Sequence, residues 1–229
     1  MFKRIKKAFS RSASEPREEG PPSTMAHGPV SEWAGTQGFA FSIDDTGHGI
    51  ALEGKISGKP WRLQLGRSTR NYIIGEEVRA RGQLGIPEDI AVLVMNRPLK
   101  EALEKRAYQI YTDDLRTSVD SSLPEEMRWL AMFQEVGWDN GPAAFWEQYS
   151  VLTDRRENAM AWVDQVLANL LMKWPAPAPS AEVPFLVLLL NGKCYLRMEY
   201  TPADLQTLQH AALIFTSACE SALGAFGRK

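Results

Sequence analysis

The first half of the chain alternates apolar and polar residues with a period of two. Between residues 38 and 96, short alternating segments are separated by clusters of Gly, Asp, Lys or Pro. Alternation places one face of a strand against a core and the other face in solvent. Turn residues at such short intervals favour neighbouring antiparallel strands. The pattern therefore predicts an antiparallel β-meander, in which the nearly all-apolar residues 90–95 are typical of a central strand.

The pattern then changes to apolar residues that recur every three or four positions. Pro98 follows the last strand of the meander and opens the first helix, because a proline N–H would be unpaired in the first helical turn anyway. Pro124 with Glu125 and Glu126 gives a second helix start, since acidic side chains favour the positive end of a helix. The sequence predicts a closing helix before residue 120 and a helical region over residues 121–174.

The last quarter of the chain predicts a hairpin and a long helix. Asn191-Gly192 separates two apolar segments, and this dipeptide adopts the positive φ angles that a type I′ turn needs. Thr201 and Pro202 then predict the start of the final helix. The fold class is therefore α+β: an antiparallel meander, a helical segment, and a C-terminal hairpin with its helix. Residues 36–120, 121–174 and 182–229 are the three regions, expected to form one compact unit.

The N-terminal residues 1–35 have a different composition. Residues 10–29 are rich in Ser, Pro, Glu and Gly, which predicts a disordered polar tail. Before them, Phe2, Ile5 and Phe9 fall on one helical stripe, and basic residues occupy the remaining arc. The basic residues are Lys3, Arg4, Lys6 and Lys7. These seven residues are candidates for contact with an anionic membrane surface. A solvated basic tail and a mitochondrial presequence stay open as alternatives.

Composition excludes several classes of protein. The chain has 229 residues, of which 44% are hydrophobic and 24% charged, with a formal charge of −2. No apolar run is long enough to span a membrane as a helix. Because the net charge of the chain is close to zero, a nucleic-acid partner is not expected. Cys194 and Cys219 are too few for a disulfide framework, so we expect buried thiols in a reducing compartment.

No motif for catalysis or metal binding occurs in the sequence. His27, His48 and His210 are scattered, and neither cysteine has a partner at ligand spacing. Phosphate-binding loops and nucleophile elbows are also missing. The sequence predicts no metal and no cofactor, and it indicates no catalytic residue.

One group of arginines gives a candidate site. Strand parity places Arg62, Arg79 and Arg81 on a single solvent face together with Lys55, if their strands share a sheet. Arg67 and Arg70 are expected in the adjoining turn. Guanidinium groups bind carboxylates and phosphates well. These five arginines are candidates for binding an anion or a partner, and a merely solubilising surface is the alternative.

The sequence therefore favours a non-enzymatic cytoplasmic interaction or adaptor protein, held at the inner face of a membrane by its N-terminal segment. A protein partner is expected, although the sequence does not identify it. The alternative is an enzyme or ligand-binding protein that holds a phosphorylated or carboxylated small molecule on the arginine face. The sequence gives no information about the oligomeric state.

Overall fold

A single nine-stranded antiparallel sheet forms the centre of the computed structural model, which describes residues 27–44, 47, 49–113, 125–138 and 143–227. The strand order is β1-β2-β3-β4-β9-β8-β5-β7-β6. The strands are β1 (Ala40–Ile43), β2 (Ile50–Ile56), β3 (Lys59–Arg67), β4 (Glu76–Gln83), β5 (Val92–Asn96), β6 (Gln134–Val136), β7 (Tyr149–Thr153), β8 (Phe185–Leu190) and β9 (Lys193–Glu199).

Helices pack on both faces of this sheet. The helices in the described residues are α1 (His27–Gln37), α2 (Arg97–Asp113), α3 (Glu125–Met132), α4 (Ala143–Gln148), α5 (Arg156–Trp162), α6 (Gln165–Met172) and α7 (Leu205–Phe226). The α+β class and the long C-terminal helix predicted from the sequence are confirmed.

The predicted C-terminal hairpin occupies the middle of the sheet. Asn191 and Gly192 have φ angles of 50° and 71°, as a two-residue turn requires. The hairpin inserts between β4 and β5, so β9 pairs with β4 and β8 pairs with β5. Strands distant in sequence thus become neighbours, which the local pattern does not indicate.

One face of the sheet carries the larger apolar core. Helix α7 lies across β2, β4, β8 and β9 and also packs against α5 and α6. Its side chains Phe215 and Cys219 are completely buried there, as is Trp162 of α5. More apolar residues are buried on this face than on the other, so it supplies most of the apolar burial, at about 1.5–3 kcal/mol for each large side chain.

The other face is covered over only part of its width. Helices α2 and α3 pack on β5, β7 and β8 and bury a second apolar cluster. The cluster includes Leu93, Met95, Leu99, Leu103, Leu152, Leu186 and Leu188. Among the described residues, the helices leave this face open over β1–β4 and reach β9 only at Tyr195, so side chains such as Arg62 and Arg81 are exposed.

Helix α1 corrects the predicted boundary of the disordered tail. Val30 and Ala34 are 1% and 0% exposed, and Trp33 packs edge-on against Phe39 at a ring-centroid distance of 5.8 Å. Positions 30, 33 and 34 share one helical stripe, a signal that the Gly- and Ser-rich composition obscures. Residues 27–35 are therefore helical, and the part of the tail before His27 lies outside the described residues.

Two further local predictions are wrong in detail. The region predicted as helical over residues 121–174 also contains the strands β6 and β7, the second of which begins at Tyr149. Its last part is two helices, α5 and α6, separated by Val163 and Asp164. The last helix is capped by Asp204, whose carboxylate accepts a hydrogen bond from Thr207 N at 2.7 Å. A side-chain hydrogen bond of this kind stabilises the start of a helix, so the helix begins after Asp204 and not at Thr201 or Pro202.

Candidate functional site, an arginine-bearing sheet face

The uncovered half of the second sheet face carries six polar side chains in two rows. The first row runs across three strands as Arg62, Arg81 and Tyr195. The second row runs parallel to it as Gln64, Arg79 and Arg197. Neighbouring positions lie about 5 Å apart across the strands and about 7 Å apart along them. We call these six residues the arginine grid.

The grid contains two pairs of arginines that lie directly opposite each other. Arg62 faces Arg81 between β3 and β4, and Arg79 faces Arg197 between β4 and β9. The hydrogen bond from Tyr200 N to Glu76 O fixes the phase of the β4–β9 ladder. Arg79 and Arg197 therefore form a non-hydrogen-bonded pair, in which side chains are closest. Like charges at such positions destabilise a sheet.

Only part of this positive charge is neutralised within the described residues. Arg62 donates to Glu53 at 2.8 Å in an exposed ion pair, and Arg197 is paired with the buried Glu77. Arg79 instead donates to the neutral amide of Gln64 at 3.2 Å. Arg81 lies beside the neutral amide of Gln83. In the described part of the chain, neither Arg79 nor Arg81 forms an ion pair, so two cations stay uncompensated.

One buried carboxylate holds one end of the grid in place. Glu77 is 1% exposed and accepts hydrogen bonds from the backbone and hydroxyl of Thr69, each at 2.8 Å. The same hydroxyl accepts a hydrogen bond from Arg197 Nη1 at 2.9 Å. Glu77 and Thr69 together hold the guanidinium of Arg197 in place.

A second buried network separates the grid from the covered half of the face. Glu126 of α3 is completely buried, and its Oε1 accepts hydrogen bonds from Arg70 Nε at 2.5 Å and from the Tyr72 hydroxyl at 2.9 Å. Burial, with the neighbouring Glu126 charge, raises the pKa of Tyr72 well above its ordinary value. Burial lowers the pKa of Arg70, but Glu126 outweighs this effect and the pKa is raised. Tyr72 therefore stays a neutral donor and Arg70 a permanent cation.

Tyr195 marks the border between the grid and the apolar cluster. Its ring packs against that cluster, and burial raises the pKa of its hydroxyl although the Arg81 charge opposes the shift. The hydroxyl is thus a neutral hydrogen-bond donor next to Arg81. The site as a whole offers guanidinium, amide and phenol donors, which suit carboxylate or phosphate oxygens.

The structure brings together three of the five arginines that the sequence singles out. Arg62, Arg79 and Arg81 share the open face, and Lys55 of β2 lies on the same face opposite Pro60. These residues therefore lie on the single face that strand parity predicts.

Of the other two arginines, Arg70 lies in the predicted loop, but Arg67 does not. Arg67 is the last residue of β3, faces Glu76, and has the parity of the buried Leu65, so it points to the opposite side of the sheet. Arg70 does lie in the loop, but its ion pair with Glu126 directs it to α3. Strand length and a long-range acid decide these positions, and neither is visible locally.

Arg197 and Tyr195 belong to the site although local sequence patterns do not indicate them. Both belong to β9, and their place in the grid depends on the pairing of β9 with β4, more than 100 residues away along the chain. The polar residues that alternate with Cys194, Leu196 and Met198 in β9 are the only local signal. That alternation gives the face of the strand but not its neighbour.

Other chemistries find little support in the described residues. No group of three His, Cys, Asp or Glu side chains is arranged there to hold a metal ion. None of the described helices has the length and apolar character needed to cross a membrane. Cys194 and Cys219 are free and buried, and burial together with the neighbouring Cys219 thiol raises the pKa of Cys194. A thiol in that state is a poor nucleophile.

Comparison with known proteins adds no assignment. Neither a family model, nor a curated protein, nor a solved structure matches this chain.

Proposed function

We propose that the protein is a non-enzymatic interaction or adaptor protein of the cytoplasm, and that its arginine grid binds an acidic segment of a partner protein. The observation that carries this proposal is the pair of facing arginines on each side of β4, with Arg79 and Arg81 lacking ion pairs in the described residues. Directly opposed like charges cost stability, so a bound anion gives a physical reason for keeping them.

The shape of the site favours an extended anion. Small-molecule sites are concave and bury most of the ligand. The grid instead lies on the surface of three strands, where Arg62 and Glu53 have about half of their side-chain surface exposed (52% and 50%). Among the described residues, the helices approach the grid only at Tyr195. A chain with carboxylates at alternate positions matches the spacing of about 7 Å between rows.

A phosphorylated or carboxylated small molecule is the alternative ligand of the same groups. It would convert the protein into a ligand-binding protein or an enzyme acting on that molecule. The donors of the grid do not distinguish a free anion from an acidic peptide, because guanidinium groups bind both. Binding must therefore be measured with an acidic peptide and with a free anion.

The decisive measurement is anion binding by the full chain and by Arg79→Gln/Arg81→Gln. We expect a fluorescein-labelled octapeptide of alternating Glu and Ser to bind the wild type at low salt. The double variant should bind it roughly tenfold more weakly or worse. A hydrogen bond to a charged group contributes about 1.5–3 kcal/mol, and about 1.4 kcal/mol is a factor of ten.

The matched control is Arg156→Gln/Lys173→Gln, which removes the same charge from exposed positions in and beside α5 and α6. Its affinity for the peptide should equal that of the wild type. Inorganic phosphate and an oligonucleotide of equal charge serve as competing probes. Competition by phosphate alone would favour the small-molecule alternative, and equal weakening of both double variants would contradict a localised site.

The N-terminal membrane contact is a second part of the proposal, based on sequence alone. Its residues, Phe2, Ile5 and Phe9 with their basic neighbours, lie outside the described residues. Each basic group contributes about 1 kcal/mol near an anionic surface, and salt screens this attraction. Sedimentation with anionic vesicles at moderate salt should fall when the three apolar residues are replaced by Ala. Unchanged sedimentation would remove the amphipathic-helix interpretation.

A further inference from the structure

The two edges of the nine-stranded sheet are protected to different degrees. Edge strand β6 has three residues, and its Glu135 forms ion pairs with Arg97 and Lys100. Edge strand β1 has the sequence Ala-Phe-Ser-Ile, without a charged residue or a proline. Natural edges are normally blunted by charge, proline or short length. Of these devices β1 has only its short length, so it is the edge open to association.

The outer edge of β1 offers backbone groups in a regular pattern. Asp44 N donates to Gly49 O at 2.8 Å, which fixes the phase of the β1–β2 ladder. Ser42 therefore bonds to β2, whereas the N–H and C=O groups of Phe41 and Ile43 point away from it. No described strand pairs with this side of β1. Two residues thus present both a donor and an acceptor at the edge.

The side chains beside these groups are self-complementary. Ile43 is 49% exposed, and it shares the helix-covered face with the half-buried Phe41. When two copies of β1 pair antiparallel about Ser42, Phe41 of each copy lies opposite Ile43 of the other, and the exposed Ile43 gains an apolar neighbour. Asp44 then faces Ala40, so no like charges oppose each other.

We infer that the protein forms a symmetric dimer through β1, in which two copies of Ser42 meet on the two-fold axis and the two sheets become continuous. The occupant of the edge is a second copy because the strand is uncharged and matches itself, whereas a foreign strand would find no charge to select it. The two arginine grids then face the same side. Arg62 and its counterpart are separated by five strand intervals, about 24 Å across the strands.

The pairing can be tested by cysteine cross-linking at one position of β1. In the inferred dimer Ser42 and its counterpart form a non-hydrogen-bonded pair, whose Cα distance of about 4.5 Å suits a disulfide. Ser42→Cys in the full chain should form a covalent dimer when oxidised with diamide. Ala40→Cys is the matched control: it is exposed on the same face of the same strand, but its counterpart lies about 13 Å away along the strand. It should stay uncross-linked.

Light scattering after size exclusion gives the independent measurement. The wild type should have twice the monomer mass at tens of micromolar, and Ile43→Lys should have the monomer mass with unchanged circular dichroism. A monomeric wild type would overturn the inference, as would equal cross-linking of the two cysteine variants. Dimerisation only after deletion of residues 2–26 would also overturn it, because the tail and not a second copy would then occupy the edge. These outcomes are independent of anion binding.

Discussion

The two halves of one sheet face differ completely, although the same rows of cross-strand neighbours run through both. Arg79 and Arg197 in β4 and β9 are followed in their row by Leu186 of β8 and Met95 of β5. The arginines belong to the open half, and the two apolar residues are completely buried under α2 and α3. The transition from charge to apolar core takes place within one strand interval, between β9 and β8.

This difference shows that the face of a sheet is not covered as a unit. Helices pack where the row positions are aliphatic, because removing apolar surface from water provides the main favourable free energy. They stop where the row positions are charged, because burying an unpaired guanidinium is costly. The buried contact of Arg70 with Glu126 lies at the border and joins the loop before β4 to α3. The open half is thus a consequence of the residues in three strands.

The largest loss of stability is expected when an arginine is placed in the covered half of the face. Leu186→Arg extends the row of arginines into the covered half, where Leu186 is completely buried. An unpaired buried charge places this variant among the most destabilising changes, above about 4 kcal/mol. Urea unfolding measures the loss. Leu186→Met preserves volume and should cost less than about 1.5 kcal/mol.

The next largest effect is expected at the border itself. Arg70→Ala leaves the buried Glu126 with the hydrogen bond from Tyr72 but without its ion pair, and should destabilise by about 3 kcal/mol, as expected when one partner of a buried ion pair is removed. Thermal unfolding is the measurement. Glu125→Gln removes the exposed neighbour, whose side chain is 45% exposed, and should change stability by less than about 0.5 kcal/mol. Equal losses would mean that the buried pair has no special role.

A smaller change in stability is expected from the ion pairs of Glu135, and this change depends on pH. Burial raises the pKa of Glu135, but Lys100 and Arg97 outweigh it and the pKa falls below its ordinary value of 4.5. A lowered pKa in the folded state stabilises the protein above pH 4.5, and this stabilisation is lost as the pH falls through the folded-state value. Glu135→Gln should therefore lower the unfolding temperature at pH 7, and this difference should shrink as the pH is lowered below 4.5. A difference that stays the same from pH 7 into strong acid would contradict this explanation.

The smallest change in stability is expected in the open half of the face. Arg81→Gln removes one member of the facing pair with Arg62 and should change stability by less than about 0.5 kcal/mol. The sign should be stabilising at low salt and should vanish at high salt, because the repulsion is between exposed charges. Thermal unfolding of this variant is compared with that of Arg156→Gln. A large destabilisation would mean that Arg81 has a structural partner.

Much of the fold could be predicted from local patterns. The alternation in β2, β3 and β4 gives the correct inward and outward residues, because a strand has a strict period of two. The Asn191-Gly192 turn is equally determined, since few other dipeptides adopt two positive φ angles. The helix at residues 27–37 is not predicted because its apolar stripe is short. Its stability comes from tertiary packing, in which Trp33 contacts Phe39 and Phe39 in turn contacts Trp61.

The candidate site divides in the same way. Strand parity is a local property, so it is enough to predict that Arg62, Arg79 and Arg81 point away from the core. The place of Arg197 and Tyr195 in the grid and the pairing of Arg70 with Glu126 depend on the folded structure. Sheet order and ion pairing join residues that are far apart along the chain. Their free energy depends on how the whole core packs and not on any local pattern.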